Sequence, residues 1–141
     1  MDNKLHVLFV CDGDSARSQM AEGLLRNMAD DEFSVSSAGL ENNESMHPTS
    51  IKCMQEIGID ISAQTAHHIN DFEDIQFDYV IALCDQAQKT CLSFPGDKEN
   101  LHWTCSDPLG VKGTDEDILA AFRVARDEIK HQLETWLEEM K

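Results

Sequence analysis

The hydrophobic pattern changes period several times along the chain. Leu5-His-Val-Leu-Phe-Val10 is a short apolar run closed by Asp12-Gly13, as expected of a strand buried in a parallel sheet. From Ser18 to Met28 the spacing becomes helical, with Met20, Leu24 and Met28 on one face and Ala21 and Leu25 beside them. Phe33 to Ser37, closed by Ala38-Gly39, predicts a second strand. A second helix follows near Pro48, with Ile51, Met54 and Ile57 facing inward and Gly58 ending it. Tyr79 to Cys84 reads as a third strand and Asn100 to Thr104 as a weaker fourth. Thr114 is a candidate N-cap, with Asp115, Glu116 and Asp117 in the first turn of a long helix. Its expected inner stripe is Ile118, Phe122, Ala125, Ile129, Leu133, Trp136 and Met140. This alternation predicts an α/β fold with an open parallel sheet covered on both faces, whose ligands bind beyond the strand C-terminal ends. Cys11 and Cys84 both fall at such ends. There is no repeat, linker or low-complexity tract, and 141 residues suit one domain, 1–141.

Charge narrows the choice of partners. Asp and Glu number 27 against 11 Lys and Arg, a net charge of −16 that repels nucleic acid and anionic membrane. Neither is an expected partner. An anionic substrate is repelled at long range too, so an anion site must rely on local backbone dipoles and one or two fixed cations. No apolar stretch has bilayer-spanning length, and the first residues do not read as a secretory leader, so the cytoplasm is the expected compartment. Five cysteines, Cys11, Cys53, Cys84, Cys91 and Cys105, then point to reduced thiols rather than a disulfide framework.

The segment with the clearest chemistry is the loop Cys11-Asp-Gly-Asp-Ser-Ala-Arg17, followed by Ser18. Five residues between Cys and Arg allow successive N–H groups and a helix N-terminus to converge on one oxyanion; Asp12, Gly13, Asp14, Ser15 and Ala16 form the cradle. Arg17 supplies a permanently charged planar fork matched to two oxygens of a tetrahedral anion. The same dipoles favour the Cys11 thiolate, and Ser18 can hydrogen-bond the sulfur. A bare Cys-x5-Arg is common by chance. This one follows a buried strand, contains Gly13 and opens a helix, the setting such a loop requires.

With these residues stand Phe9-Val-Cys-x-Gly-x-Ser-x-Arg-Ser-Gln-Met-Ala-Glu-Gly23, Ser37-Ala-Gly39, Gly58-Ile-Asp-Ile-Ser62, and His102-Trp103 with Asp107-Pro108. Together they resemble the low-molecular-weight tyrosine phosphatases and the arsenate reductases that share their fold. The resemblance implies a three-layer fold with a four-stranded parallel sheet flanked by helices, Cys11 as nucleophile, Arg17 as oxyanion clamp and Asp107 as general acid. Read alone, Asp107-Pro108 is an ordinary turn. The Leu-Cys-x6-Cys arrangement of Cys84 and Cys91 looks like the redox segment of thioredoxin-coupled arsenate reductases, whereas an isolated pair would be a core thiol and an incidental one. The resemblance thus implies arsenate reduction with thioredoxin as partner, arsenate as substrate, phosphate or sulfate as competing oxyanions, and no cofactor. Where the phosphatases place an aromatic pair after Asp-Pro, this chain has Leu109-Gly110, which favours the reductase. The alternatives are a tyrosine phosphatase acting through a Cys11 phosphoenzyme, and a weakened oxyanion-binding or redox-regulatory relative.

Three positions depart from the family pattern. Asp14 stands where Asn is usual, Ala16 where Cys is frequent, and His67 where potassium-binding reductases carry Asp, although Glu22 and Ser37 match that cation site. The resemblance therefore implies at most a weak potassium site. Two readings of His67 stay open: a charge pair with Asp14 in place of a bridging ion, or, with His68, a surface histidine in a polar segment. Cys53 and Cys105 read as packing or incidental thiols, with disulfide shuffling through Cys105 left open.

Overall fold

The most apolar run of the chain forms the centre of the sheet. The computed structural model describes residues 4–13, 16–40, 46–72, 74–92 and 99–140. β1 (Leu5–Cys11) buries Val7 through Cys11 because it has neighbours on both edges: β2 (Phe33–Gly39) and β3 (Tyr79–Ala82). β4 (Glu99–His102) pairs with β3, all pairings are parallel, and the order is β2-β1-β3-β4. The expected four-stranded parallel sheet is present, with helices on both sides.

Strand alternation divides the core. Val7, Phe9 and Cys11 face α1 (Arg17–Ala29), α2 (Pro48–Gln55) and α4 (Asp115–Glu139). Leu8 and Val10 face a smaller layer that includes Ile69, Phe77 and Ala87. Ala87 belongs to α3 (Asp85–Leu92), a helix that apolar periodicity did not reveal: among Asp85 to Lys89 it is the one buried residue, so there is no stripe to detect. On the larger face, Trp136 of α4 stacks against Phe33, Tyr79 and Trp103, with ring centroids 5.3, 5.1 and 5.8 Å away, and so holds the C-terminal helix against three strands or strand ends. No helix among the described residues is long and apolar enough to cross a membrane.

Helix ends account for the differences from the expected faces. α2 buries Ser50, Cys53 and Met54, while Ile57 is 36% exposed. The helix stops at Gln55; Gly58 adopts φ +80°, its N–H bonds Gln55 O and Ile59 N–H bonds Met54 O, so the chain turns and carries Ile57 outward. α4 begins at the expected Thr114, which forms a reciprocal capping box with Asp117. Its inner face buries Leu119 and, in part, Ile118, Met140 is exposed beyond its end, and a cation, Arg126, is buried in the stripe.

Arg126 is neutralised by Glu56, just past the end of α2, and by Asp127 beside it on α4. Its Nη1 donates to Cys53 O at 2.9 Å and to Glu56 Oε1 at 3.0 Å, and the same carboxylate accepts from Arg123 Nε at 2.9 Å. Hydrogen bonds from Arg123 lower the Glu56 pKa from 4.5 to about 2, Arg126 adding to the effect. A carboxylate depressed in the folded state stabilises fully above its unfolded value and loses that contribution as pH falls through its folded value. The wild type is therefore expected to lose stability between pH 4.5 and about 2 more steeply than Glu56→Gln, read from urea midpoints. Parallel pH profiles for the two proteins would remove Glu56 from the acid response.

Candidate active site

β1 delivers Cys11 to the end of the sheet, where it pairs with Gly39 of β2. Leu40 N–H then bonds the carbonyls of Cys11 and Asp12, at 3.2 and 2.7 Å, steering the chain into the loop. Cys11 is 2% exposed, with Sγ 3.0 Å from Ser18 Oγ and 2.8 Å from Gly13 O. Ser18 thus occupies the sulfur-bonding position expected of it. α1 starts at Arg17 after Ala16, whose methyl cannot cap it, so the positive end of the helix dipole adjoins the loop. Asp14 and Ser15 lie outside the described residues, and with them the Asp14–His67 charge pair, one of the two open readings of His67.

Arg17 is fixed by strand ends rather than by its own helix. Nη1 donates to Leu83 O at 3.2 Å and to Cys105 O at 3.4 Å, while Nη2 lies 3.9 Å from Asp12 and 3.8 Å from Asp107. The third strand is shorter than its apolar run: β3 stops at Ala82, and the Leu83 carbonyl serves Arg17. Burial opposes the guanidinium charge, but Cys11, Asp107, Cys105 and Cys84 around it raise its pKa overall. Asp107 is half exposed and its Oδ1 accepts from Leu109 N–H, which caps the turn Pro108–Gly110 and places the carboxylate beside the fork.

Cys84 comes to the same place. Its Sγ donates to Asp12 Oδ1 at 3.2 Å and receives Ala87 N–H at 3.3 Å. Burial raises its pKa and Asp12 adds to the rise, so it is kept as a thiol. Asp12, Arg17, Cys84, Cys105 and Asp107 line one cleft of about 230 Å³. Cys91 falls on the last turn of α3, and its side chain is outside the described part. The sequence had no signal for Asp12 as the partner of Cys84, nor for the two carbonyls that hold Arg17, because both depend on which strand ends meet.

Glu22 and Ser37, matched above to a cation site, bond each other: the Ser37 hydroxyl donates to Glu22 Oε1 at 2.6 Å. Arg26 Nη2 sits 2.6 Å from Glu22 Oε2 and also donates to Val35 O, so a guanidinium supplies positive charge to the 7% exposed Glu22. Among the described residues no group of three or more His, Cys, Asp or Glu is disposed to hold a metal ion. His67 is exposed and its ring meets Phe72, centroids 5.5 Å apart. His68 is not a simple surface side chain: it is half-buried, with Nε2 2.9 Å from Leu40 O, and it bridges Gly39. Cys53 is fully buried beside Arg126, a packing position.

A parallel sheet whose first strand feeds a buried thiol into an arginine-closed loop defines a class, and the chain belongs to it. It is a member of the low molecular weight phosphotyrosine protein phosphatase family, whose model matches residues 6–141. Within that family it is similar to the arsenate reductase of Halalkalibacterium halodurans, 43% identical over 136 residues, 96% of this chain and 97% of that one. It is also similar to the arsenate reductase of Bacillus subtilis, 40% identical over 98% of each. A solved arsenate reductase in the oxidized state covers 100% of both chains at 33% identity with a TM-score of 0.78. Drosophila arginine phosphatase reaches a TM-score of 0.79 over 96% of this chain and 97% of its own at 22% identity, a likeness of fold alone.

Proposed function

We propose that the chain reduces arsenate to arsenite and is re-reduced by thioredoxin. The observation that carries the reading is Cys84 Sγ, 3.2 Å from the carboxylate next to Cys11, at the lip of the arginine-closed cleft. Hydrolysis has no task for a second thiol there, since water completes it. Reduction does. Cys11 thiolate attacks arsenic while Arg17 holds two of its oxygens, and an arsenate oxygen, protonated with help from Asp107, leaves as water. Cys84, its proton passing to Asp12, attacks Cys11 sulfur; the S–As bond breaks, its electron pair stays on arsenic as arsenite, and a Cys11–Cys84 disulfide remains. Cys91 then attacks Cys84 sulfur, freeing the Cys11 thiolate and leaving a Cys84–Cys91 disulfide for thioredoxin.

That last exchange has a geometric condition. In helical geometry the seven-position step from Cys84 to Cys91 spans about 10 Å, beyond the ~7 Å Cα limit of a disulfide. α3 must unwind, and it can do so at little cost, with Ala87 the one buried residue among Asp85 to Lys89. Hydrogen exchange of the 85–92 amides is therefore expected to accelerate in the Cys84–Cys91 form relative to the reduced form, while β1 stays protected. Equal protection of α3 in both forms would exclude the exchange.

The deciding experiment is arsenate-dependent NADPH consumption with thioredoxin and thioredoxin reductase, run beside p-nitrophenyl phosphate hydrolysis. Thioredoxin-dependent arsenate turnover is the expected result. Hydrolysis without arsenate turnover would overturn the reading in favour of a phosphatase using the same Cys11 and Arg17.

A further inference from the structure

Cys105 is the cleft thiol that the relay does not use. Its Sγ donates to Leu83 O at 3.4 Å, the carbonyl immediately ahead of Cys84, and its own carbonyl accepts from Arg17. Cys84 and Cys105 line the same cleft and both interact with the Arg17 charge. They also lie just past paired strands, two residues beyond β3 and three beyond β4. Ala82 is the register partner of His102, and Trp103 N–H continues the ladder to Ala82 O at 2.9 Å. Continuing that register sets Thr104 opposite Cys84, with Cys105 one residue further. A strand spacing of about 4.8 Å with one residue step of about 3.3 Å gives a Cα separation of about 6 Å, within the ~4.4–6.8 Å that a disulfide accepts.

We propose that Cys105 is an alternative resolving thiol that captures Cys84 as a Cys84–Cys105 disulfide; this rests on the arsenate-reduction reading above. Cys105 sulfur attacks Cys84 sulfur of the Cys11–Cys84 disulfide and the Cys11–Cys84 bond breaks. Cys11 leaves as the thiolate, and the Cys105 proton goes to water. No further oxidant is consumed, because arsenate has already taken the two electrons. Unlike the Cys91 step, this exchange leaves α3 wound.

Acidity sets its speed. Burial pushes the Cys105 thiol up to about 11. Near neutral pH its thiolate fraction is on the order of 10⁻⁴, rising about tenfold per pH unit. The branch is slow, and a weakly acidic thiol is also a poor leaving group when the disulfide is reduced. The product is a parked enzyme, with Cys84 withdrawn from the relay and Cys11 preserved as a thiolate.

The test has two arms. In the first, Cys11→Ser/Cys91→Ser protein is treated with 2,2′-dipyridyl disulfide, which activates a thiol without arsenate. Closure to an intramolecular Cys84–Cys105 disulfide, mapped by non-reducing peptide mass spectrometry and faster at pH 9 than at pH 7, is the expected result. A persistent pyridyl adduct on Cys84 with Cys105 still alkylatable overturns the proposal. In the second arm, arsenate is given to Cys91→Ser protein, where Cys84–Cys105 should accumulate slowly from Cys11–Cys84 and be absent in Cys91→Ser/Cys105→Ala. Accumulation of Cys11–Cys84 alone in Cys91→Ser, with no later transfer, also overturns it. If arsenate yields no disulfide while the first arm closes the pair, the arsenate reading fails and the pairing stands.

Discussion

Replacing Cys11 with serine is expected to lower arsenate reduction by at least about 10⁴-fold, to the background of the assay. Ser18 Oγ lies 3.0 Å from Cys11 Sγ, and the buried Arg17 interacts with it electrostatically. A serine hydroxyl in that place keeps its proton at neutral pH and has neither the polarizability nor the leaving ability that disulfide exchange needs. Arg17→Lys is expected to lose about 10²–10³ in kcat/KM. An ammonium cannot grip two oxygens of the anion while also reaching the carbonyls of Leu83 and Cys105, which hold the guanidinium plane. Steady-state kinetics of both variants, with circular dichroism to verify folding, provide the check. Near-normal turnover by either would remove the loop from the chemistry.

The second large expected effect tests whether Cys84 and Cys91 are the electron-transferring thiols of the proposed relay, distinct from Cys11. Cys84→Ser and Cys91→Ser are each expected to stop repeated arsenate turnover while leaving Cys11-dependent hydrolysis of p-nitrophenyl phosphate in place. Cys84→Ser cannot release arsenite from Cys11 by disulfide formation. Cys91→Ser can do so once and then holds oxidised Cys84. Single-turnover arsenite release should therefore survive in Cys91→Ser and vanish in Cys84→Ser. If both variants keep multiple turnover with thioredoxin, the electrons travel by another route.

These expectations draw unequally on sequence and structure. Periodicity was sufficient to read β1, β2, α1 and α4, because each buries a continuous run or a stripe of apolar side chains that leaves its period in the residues. The loop was legible for a related reason: Cys11, Gly13, Arg17 and Ser18 are close in sequence, and local backbone geometry brings them together. α3 was not legible, since among Asp85 to Lys89 only Ala87 is buried and a single buried position leaves no pattern. Nor was the outward turn of Ile57, which follows from the left-handed Gly58.

The rest depends on parallel pairing, which joins residues far apart in the chain. β1 lies next to β3, so Asp12 meets Cys84. β3 lies next to β4, so Leu83 and Cys105 together hold Arg17 and the two thiols Cys84 and Cys105 share a cleft. Arg26 meets Glu22 locally, one helical turn away on α1, but the Ser37 hydroxyl and the Val35 carbonyl that complete their surroundings need α1 packed on β2. The sequence determined which residues could do the chemistry, because that is a matter of functional groups and short spacings. Only the tertiary structure decided which thiols, carboxylates and cations stand within bonding distance, because strand order, unlike local period, is not written in any single stretch of chain.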